Sequence, residues 1–217
     1  MAEINLLEEY PRLDRDVESR FRQTTDEDRR IARQFGWEFF DGPRLRGYGG
    51  YVYDGRWVKI VKKFIEHYGL TKDSAVLDVG CGKGFMLYDF MQVLPGVKVA
   101  GFDISEYAIN NAPPPVRPFV QIANAKQLSY PDKSFDLVVS ITTVHNLPLE
   151  ECRQSLREIE RVSRGHSFIT VDAWRNPEEE RRMKMWNLTA ITYMSTDDWK
   201  KLFAEVGYSG DYYWFIP

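Results

Sequence analysis

The 217-residue chain carries 29 basic and 32 acidic residues, and 43% of it is apolar. This length supports a full core in one domain with an N-terminal appendage, and the net charge of −3 argues against a dedicated nucleic-acid binder, which usually carries a basic surplus. No stretch approaches the ~18 apolar residues of a membrane span and no signal peptide begins the chain, so we expect no membrane partner and a cytoplasmic protein. The two cysteines, Cys81 and Cys152, are far apart and belong to no metal-ligand cluster, so neither disulfides nor a metal site is predicted.

The first 69 residues are predicted to form a helical N-terminal extension. Residues 1–24 are polar with scattered apolar positions and indicate a loosely held arm or a short helix. Thr25, followed by acids in the first turn, predicts a capped helix over 25–36. After a loop dense in glycine and tyrosine, Asp54 is expected to cap a helix over 55–68 with one apolar face.

From residue 70 onward, apolar runs alternate with helical patterns. Such alternation predicts an α/β fold, a doubly wound and mainly parallel sheet with helices on both faces. We therefore expect a second region over 70–217. The predicted strands lie near 75–79, 98–102, 117–122, 135–140, 167–172 and 211–216, and the predicted helices near 84–93, 105–111, 149–163 and 196–206.

Three glycines at alternate positions follow the first of these strands. The apolar residues Val76, Leu77 and Val79 are typical of a parallel strand buried on both faces. The glycines at 80, 82 and 84 then allow a sharp turn that can approach a ligand closely. The dinucleotide pattern G-x-G-x-x-G would need glycine where the chain has Phe85. A second strand delivers Asp103, whose carboxylate can accept hydrogen bonds from both hydroxyls of a ribose.

The pattern acid-x-Gly-x-Gly-x-Gly over 78–84, with Asp103 ending the next strand, resembles the class I S-adenosylmethionine-dependent methyltransferases. Ser105 at a helix N-cap after Asp103 and Gly207 closing the last helix extend the resemblance from about residue 70 to the C-terminus. The segment 124–140 is similar to the family's Asp-Ala-x-x-Leu-Pro run into its fourth strand. It departs at Asn124, which replaces the usual aspartate but can still meet an adenine amino group, and in the Ser-Tyr pair before Pro131.

This resemblance, closest to the type 11 group of ubiquinone- and menaquinone-pathway methyltransferases, implies S-adenosylmethionine as cofactor. The family's sheet usually has seven strands and ends in an antiparallel hairpin, whereas this chain ends after one terminal strand. We therefore expect six strands, or recruitment of an extended piece over 189–193. The implied cofactor-binding residues are Asp78, Gly80, Cys81, Gly82, Gly84, Asp103, Ile104, Asn124, Ala125 and Ser140.

The resemblance places methyl-acceptor groups on the loop after the fourth strand, where His145 is the single histidine predicted at this edge. His145 is then a general base or a hydrogen-bond donor that orients the acceptor, with packing beside the cofactor as the alternative. The neighbouring Asn146 is expected to bind substrate. At the end of the fifth strand, Trp174 is expected to form a pocket wall, and Arg175 to hold a carboxylate or phosphate unless it pairs with a nearby glutamate.

The segment 47–57 alternates glycine with tyrosine and has no apolar periodicity. It predicts a mobile lid that lays Tyr48, Tyr51 and Tyr53 over cofactor and substrate. The alternative is a glycine-rich connector whose tyrosines seal the edge of the sheet.

The first hypothesis is transfer of a methyl group to an oxygen or nitrogen of a small molecule, by a protein whose homodimerisation is left open. A second is methylation of a protein or RNA, which would need a docking surface that the composition does not indicate. A third is a noncatalytic S-adenosylmethionine-binding or assembly protein.

Overall fold

A computed structural model describes residues 1–11, 15–49 and 51–217 of the chain. Its helices alternate with strands after residue 70, as the sequence predicts. The helices are α1 Val17–Gln23, α2 Asp26–Ala32, α3 Trp37–Phe40, α4 Val58–Tyr68, α5 Phe85–Val93, α6 Glu106–Asn110, α7 Leu149–Val162, α8 Pro177–Trp186 and α9 Thr196–Val206. The strands are β1 Ala75–Val79, β2 Lys98–Asp103, β3 Val120–Ile122, β4 Leu137–Ile141, β5 Ser167–Trp174, β6 Met194–Ser195 and β7 Asp211–Phe215.

The strands form one parallel sheet in the order β3-β2-β1-β4-β5. The far side of β5 pairs with β7 along Phe168 to Asp172 and with β6 at Ala173 and Trp174. Because the order reverses between β1 and β4, the carboxyl ends of these two strands frame the crevice in which doubly wound sheets bind ligands. The predicted α/β doubly wound fold is confirmed.

The number of strands corrects the expectation of six. The described residues contain seven, because two residues just after the suggested piece over 189–193 pair with the end of β5. Two residues are too short to leave a periodic signal in the sequence. The terminal strand β7 runs parallel to β5, without the hairpin that the resemblance implies.

The outer edge of β7 is covered by the N-terminus. The amide of Ile4 donates to the carbonyl of Tyr212 at 3.0 Å, and the amide of Tyr212 donates to the carbonyl of Ala2 at 3.0 Å. Part of the segment expected to be a loosely held arm is therefore tied into the sheet.

Each face of the sheet carries its own apolar cluster. On one face, α4 and α5 bring Ile60, Phe64 and Phe90 against the strands. On the other, α7 and α9 bring Leu156 and Trp199. Since α4 packs within the first cluster, the predicted division at residue 69 stays a prediction, and α4 shares the core of the sheet.

Side chains cap five of the nine described helices, α1, α2, α6, α8 and α9. Thr25 and Asp28 form a capping box, which confirms the predicted start of α2. Asp54 does not cap α4, which begins three residues after Gly55 with Trp57 at its N-cap; the Asp54 carboxylate instead binds Arg56 at 2.6 Å. Among the described residues, no helix has the length and apolarity that crossing a bilayer requires.

Candidate active site

A cavity of about 880 Å³ lies between the carboxyl ends of the central strands and the N-terminal helices. Its volume falls within the range of small-molecule and cofactor sites, roughly 300 to 1,000 Å³. Most of the residues predicted from sequence line it: Tyr48, Tyr51, Asp78, Gly80, Cys81, Gly82, Asp103, Ile104, Asn124, Ala125, His145, Asn146 and Arg175.

The glycine turn needs its glycines for backbone reasons. Gly80, Gly82 and Gly84 have φ of 82°, 55° and 74°, a region that side chains with a Cβ rarely adopt. A Cβ on Gly80 would also collide with the side chain of Thr143. Gly84 lies outside the cavity, because it faces Val116 behind the turn. Its expected contact with cofactor stays a prediction; in the structure Gly84 shapes the turn and is the N-cap of α5.

Asp103 is held by the turn that it serves. Its Oδ2 accepts the amide N–H of Gly82 at 2.8 Å and its Oδ1 accepts that of Ser105 at 2.8 Å. Burial raises the pKa of Asp103, while these backbone N–H groups oppose the rise. Each carboxylate oxygen keeps a second lone pair for a ribose hydroxyl.

Asp78 lies beneath the turn with 4% of its surface exposed. Burial, and secondarily the charge of Asp103, raise the pKa of Asp78 to about 8. The ionised form of Asp78 therefore needs a cationic partner, which a positively charged ligand in the cavity can supply.

Asn124 has one of its polar atoms engaged locally. Its side-chain Oδ1 accepts the amide of Lys126 at 3.0 Å, which closes a tight turn after β3. The remaining lone pair and the amide NH₂ are available at the cavity.

The loop after β4 is strained at the cavity wall. Thr142 has φ of 51° although it is β-branched, and its amide is fixed by the carbonyl and hydroxyl of Thr170 at 3.0 and 2.9 Å. Asn146 donates to the carbonyl of Thr142 at 3.1 Å, and its buried Oδ1 has no partner among the described residues. That oxygen is a hydrogen-bond acceptor available to a ligand.

His145 follows in the same loop and is 3% exposed. Its Nδ1 accepts the amide N–H of Asp172 at 2.9 Å, and burial lowers the pKa of the imidazole to about 3. Because Nδ1 accepts the hydrogen bond from the Asp172 amide, the single proton of the neutral ring is assigned to Nε2. The 3.5 Å distance between Nδ1 and Asp172 Oδ1 is therefore not an ion pair. Of the two chemical roles predicted for His145, the geometry favours the hydrogen-bond donor over the base.

The N-terminal helices close the cavity with an aromatic cap that the sequence did not reveal. Phe39 and Phe40 of α3 pack against Tyr51 with ring centroids 5.3 and 4.9 Å apart. The Cε1 of Phe40 lies 3.3 Å from the point where a Cβ on Gly82 would stand. The cap therefore rests directly on the glycine turn. The aromatic run over 35–40 was the available signal, but it has no periodicity.

Polar contacts fasten this cap to the sheet. Lys83 reaches both oxygens of Asp41 at 2.6 and 2.7 Å, and the hydroxyl of Tyr107 donates to Asp41 Oδ2 at 2.6 Å. The hydroxyl of Ser105 donates to the carbonyl of Phe35 at 2.5 Å. We call these five residues the latch, since they join the cap to the residues that follow β1 and β2.

The three tyrosines of the predicted lid separate. Tyr48 and Tyr51 line the cavity, and the hydroxyl of Tyr48 accepts the amide of Leu188 at 2.9 Å. Tyr53 instead donates to Asp89 on α5 at 2.7 Å and does not line this cavity, and its substrate contact stays a prediction. Gly50, within the same predicted lid, lies outside the described residues.

Of three further predicted residues, Arg175 lines the cavity, whereas Ser140 and Trp174 do not. Ser140 is fully buried within β4, and Trp174 packs edge-on against Tyr193 at 5.9 Å, so the roles expected of both stay predictions. Arg175 does line the cavity, and its backbone amide donates to Glu179 at 2.7 Å. Residues of the cavity that sequence reasoning missed include Phe35, Phe39, Phe40, Thr142, Asp172 and Phe215.

The chain is similar in sequence to a known family of proteins. Residues 77–171 match the family described as "Methyltransferase domain". A demethylmenaquinone methyltransferase from Symbiobacterium thermophilum is 34% identical over 128 residues, 55% of this chain and 50% of that protein. A tRNA (carboxymethyluridine(34)-5-O)-methyltransferase from Arabidopsis thaliana is 26% identical over 145 residues, 66% of this chain and 34% of that protein.

The solved structure of the YcgJ protein from Bacillus subtilis shares the fold, with a TM-score of 0.53 at 20% identity over 67% of this chain and 66% of that one. The chain spans about half the length of the curated relatives it matches. The matched region contains the glycine turn, Asp103 and the loop after β4. Over residues 77–171, the chain is therefore similar to the methyltransferase domains of the class I S-adenosylmethionine-dependent methyltransferases, type 11 group.

Proposed function

We propose that this protein transfers a methyl group from S-adenosylmethionine to an oxygen or nitrogen of a small molecule. The observation that carries the proposal is the cavity of about 880 Å³ that adjoins the glycine turn beneath an aromatic cap. A macromolecular acceptor would have to reach the turn through the cap formed by Phe39 and Phe40.

The residues at the cavity fit the cofactor. The glycine turn offers a cradle that a Cβ would fill, and Asp103 offers two carboxylate oxygens for the ribose hydroxyls. The sulfonium of the cofactor supplies an electrophilic methyl group. In its ionised form, the carboxylate of Asp78 would stabilise the positive charge of the sulfonium.

Methyl transfer depends chiefly on alignment and on the exclusion of water. Orientation alone contributes roughly 7 to 11 kcal/mol, whereas a general base adds about 3 to 5 kcal/mol. In this protein the aromatic cap excludes water and the loop after β4 presents Asn146 and His145 to the acceptor. The cap and this loop orient the acceptor, and that role requires none of these side chains to gain or lose a proton.

The test has two stages. Calorimetry should show binding of S-adenosylhomocysteine, and an acceptor screen that follows release of S-adenosylhomocysteine should find activity on small molecules. If no binding is seen at millimolar concentration, the proposal fails. If transfer is seen only to RNA or protein, methylation of a macromolecule replaces it, as the name of the Arabidopsis relative would suggest.

A further inference from the structure

Asp172, at the carboxyl end of β5, is a buried carboxylate that binding of the cofactor does not explain. It lines the cavity, and its side chain is 5% exposed. Its backbone is fixed on both sides: the amide N–H donates to His145 Nδ1 at 2.9 Å, and the carbonyl accepts the indole N–H of Trp199 at 2.9 Å. The backbone of Asp172 is therefore fixed by two hydrogen bonds that do not involve its carboxylate.

The groups that face Asp172 leave it able to accept a proton. His145, from the loop after β4, is neutral because its pKa lies far below its usual value. Burial raises the pKa of Asp172 to about 7, while the positive charge of Arg15 opposes the rise. Tyr48, from the segment after α3, stays protonated, since burial and the charge of Asp172 raise its pKa to about 12.

Burial of a carboxylate costs free energy unless the group is paired or hydrogen-bonded, and carboxylates with a strongly shifted pKa cluster at functional sites. In this cavity the structural needs of β5 are met by backbone bonds and by the apolar residues Val171 and Ala173 on either side. A hydroxyl compound in the cavity would meet a fixed carboxylate from β5 and the neutral imidazole of His145 from the neighbouring loop. A hydroxyl group donates one hydrogen bond and accepts others, so it can pair at once with a carboxylate and with the N–H of a neutral imidazole.

We propose that Asp172 accepts the proton of a hydroxyl acceptor, so that this protein is an O-methyltransferase in which His145 orients the acceptor and Asp172 serves as base. This inference rests on the proposed function and makes it more specific. Of the two chemical roles that the sequence left open for His145, it assigns the orienting donor to His145 and gives the role of base to Asp172.

The step balances without any further reactant. The acceptor oxygen forms a bond to the methyl carbon as the S–CH₃ bond breaks, and the electron pair of that bond remains on the sulfur. The hydroxyl proton passes to the carboxylate of Asp172. The products are the methyl ether, S-adenosylhomocysteine and protonated Asp172, which returns its proton to solvent when the cap opens.

The first experiment compares hydroxyl with amino acceptors. Hydroxyarenes such as catechol, 1,4-hydroquinone and 4-hydroxybenzoate, and the corresponding aromatic amines, are incubated with the whole protein and labelled S-adenosylmethionine. We expect methylation of hydroxyl compounds, with kcat rising with pH through about 7, where a base near neutrality becomes ionised. Asp172→Asn should lower kcat by about 10² to 10⁴-fold and abolish the rise, whereas Asp197→Asn, on the exposed first turn of α9, should change neither.

Calorimetry separates failure of this inference from failure of the proposed function. S-adenosylhomocysteine should bind Asp172→Asn as it binds the unaltered protein, which also shows that the variant folds. Retained turnover with the same pH profile in Asp172→Asn would overturn the base role, as would selective methylation of the amines. Absence of cofactor binding in the unaltered protein would instead overturn the proposed function.

A second measurement needs neither turnover nor a variant. The ¹³C resonance of the Asp172 carboxyl, assigned through its own backbone amide in the S-adenosylhomocysteine complex, should titrate near neutral pH and shift when 1,4-hydroquinone is added. A resonance that does not titrate between about pH 5 and 9, or that responds to none of the hydroxyarenes at millimolar concentration, overturns the inference.

Discussion

The latch between the cap and the sheet predicts how fast the cofactor leaves. Asp41 binds Lys83 through both carboxylate oxygens and accepts the hydroxyl of Tyr107, so Asp41→Ala removes three hydrogen bonds at once. The ion pair is partly exposed, with 9% of the Lys83 side chain and 28% of the Asp41 side chain accessible. After screening by solvent it contributes about 0.5 to 1 kcal/mol, and the exposed bond from Tyr107 adds little to this.

A contribution of about 0.5 to 1 kcal/mol corresponds to roughly 2- to 5-fold in the closing equilibrium of the cap. We therefore expect Asp41→Ala to raise the dissociation rate of S-adenosylhomocysteine by about this factor, measured by stopped-flow displacement. The association rate should change less, because an open cap admits ligand in either protein.

Glu27→Ala is the matched control for the latch. Glu27 lies on α2 of the same cap but pairs only with Arg30 along the exposed surface of its own helix, at 2.6 Å. Its dissociation rate should equal that of the unaltered protein. An unchanged rate in Asp41→Ala, or an equal rise in Glu27→Ala, would refute the role assigned to the latch.

Three further outcomes follow from the site. Gly80→Ala should lose binding of S-adenosylhomocysteine by calorimetry, because both its φ and the Thr143 side chain exclude a Cβ; unchanged affinity would mean that the turn adapts. Since burial raises the pKa of Asp78 to about 8, Asp78 is protonated in the free protein near neutral pH and should ionise beside a cationic ligand. Binding of S-adenosylmethionine should then release a proton and tighten as pH rises toward 8, by at most about tenfold per pH unit; calorimetry in buffers of different ionisation enthalpy detects the proton, and zero release contradicts the linkage. Tyr51→Ala should weaken cofactor or acceptor binding, whereas Tyr53→Ala, outside the cavity, should leave both Michaelis constants unchanged; equal effects of the two would count against the cap.

The parts of the fold that the sequence predicted are those with strong local signals. The predicted strand 75–79 matches β1 residue for residue, because a strand buried on both faces is mostly apolar. The glycines that follow adopt positive φ and mark where the strand ends. The start of β3 was placed too early because Pro118, which cannot donate a backbone hydrogen bond, lies in a short 3-10 turn over Arg117–Phe119.

The parts that were missed depend on contacts between distant segments. Nothing in the local sequence of Phe40 says that its ring will rest on Gly82, and nothing in Met194 says that it will pair with Ala173. The chemical role of His145 likewise depends on a contact with a distant residue. Its tautomer depends on the amide of Asp172, 27 positions along the chain.

The pairing of Ala2 and Ile4 with Tyr212 has a practical consequence. Without these N-terminal residues, β7 would present an open row of amide and carbonyl groups, and such edges recruit strands from other molecules. Trimming the first residues to improve crystals or expression would therefore invite aggregation, and an affinity tag at that end would have to leave room for the pairing.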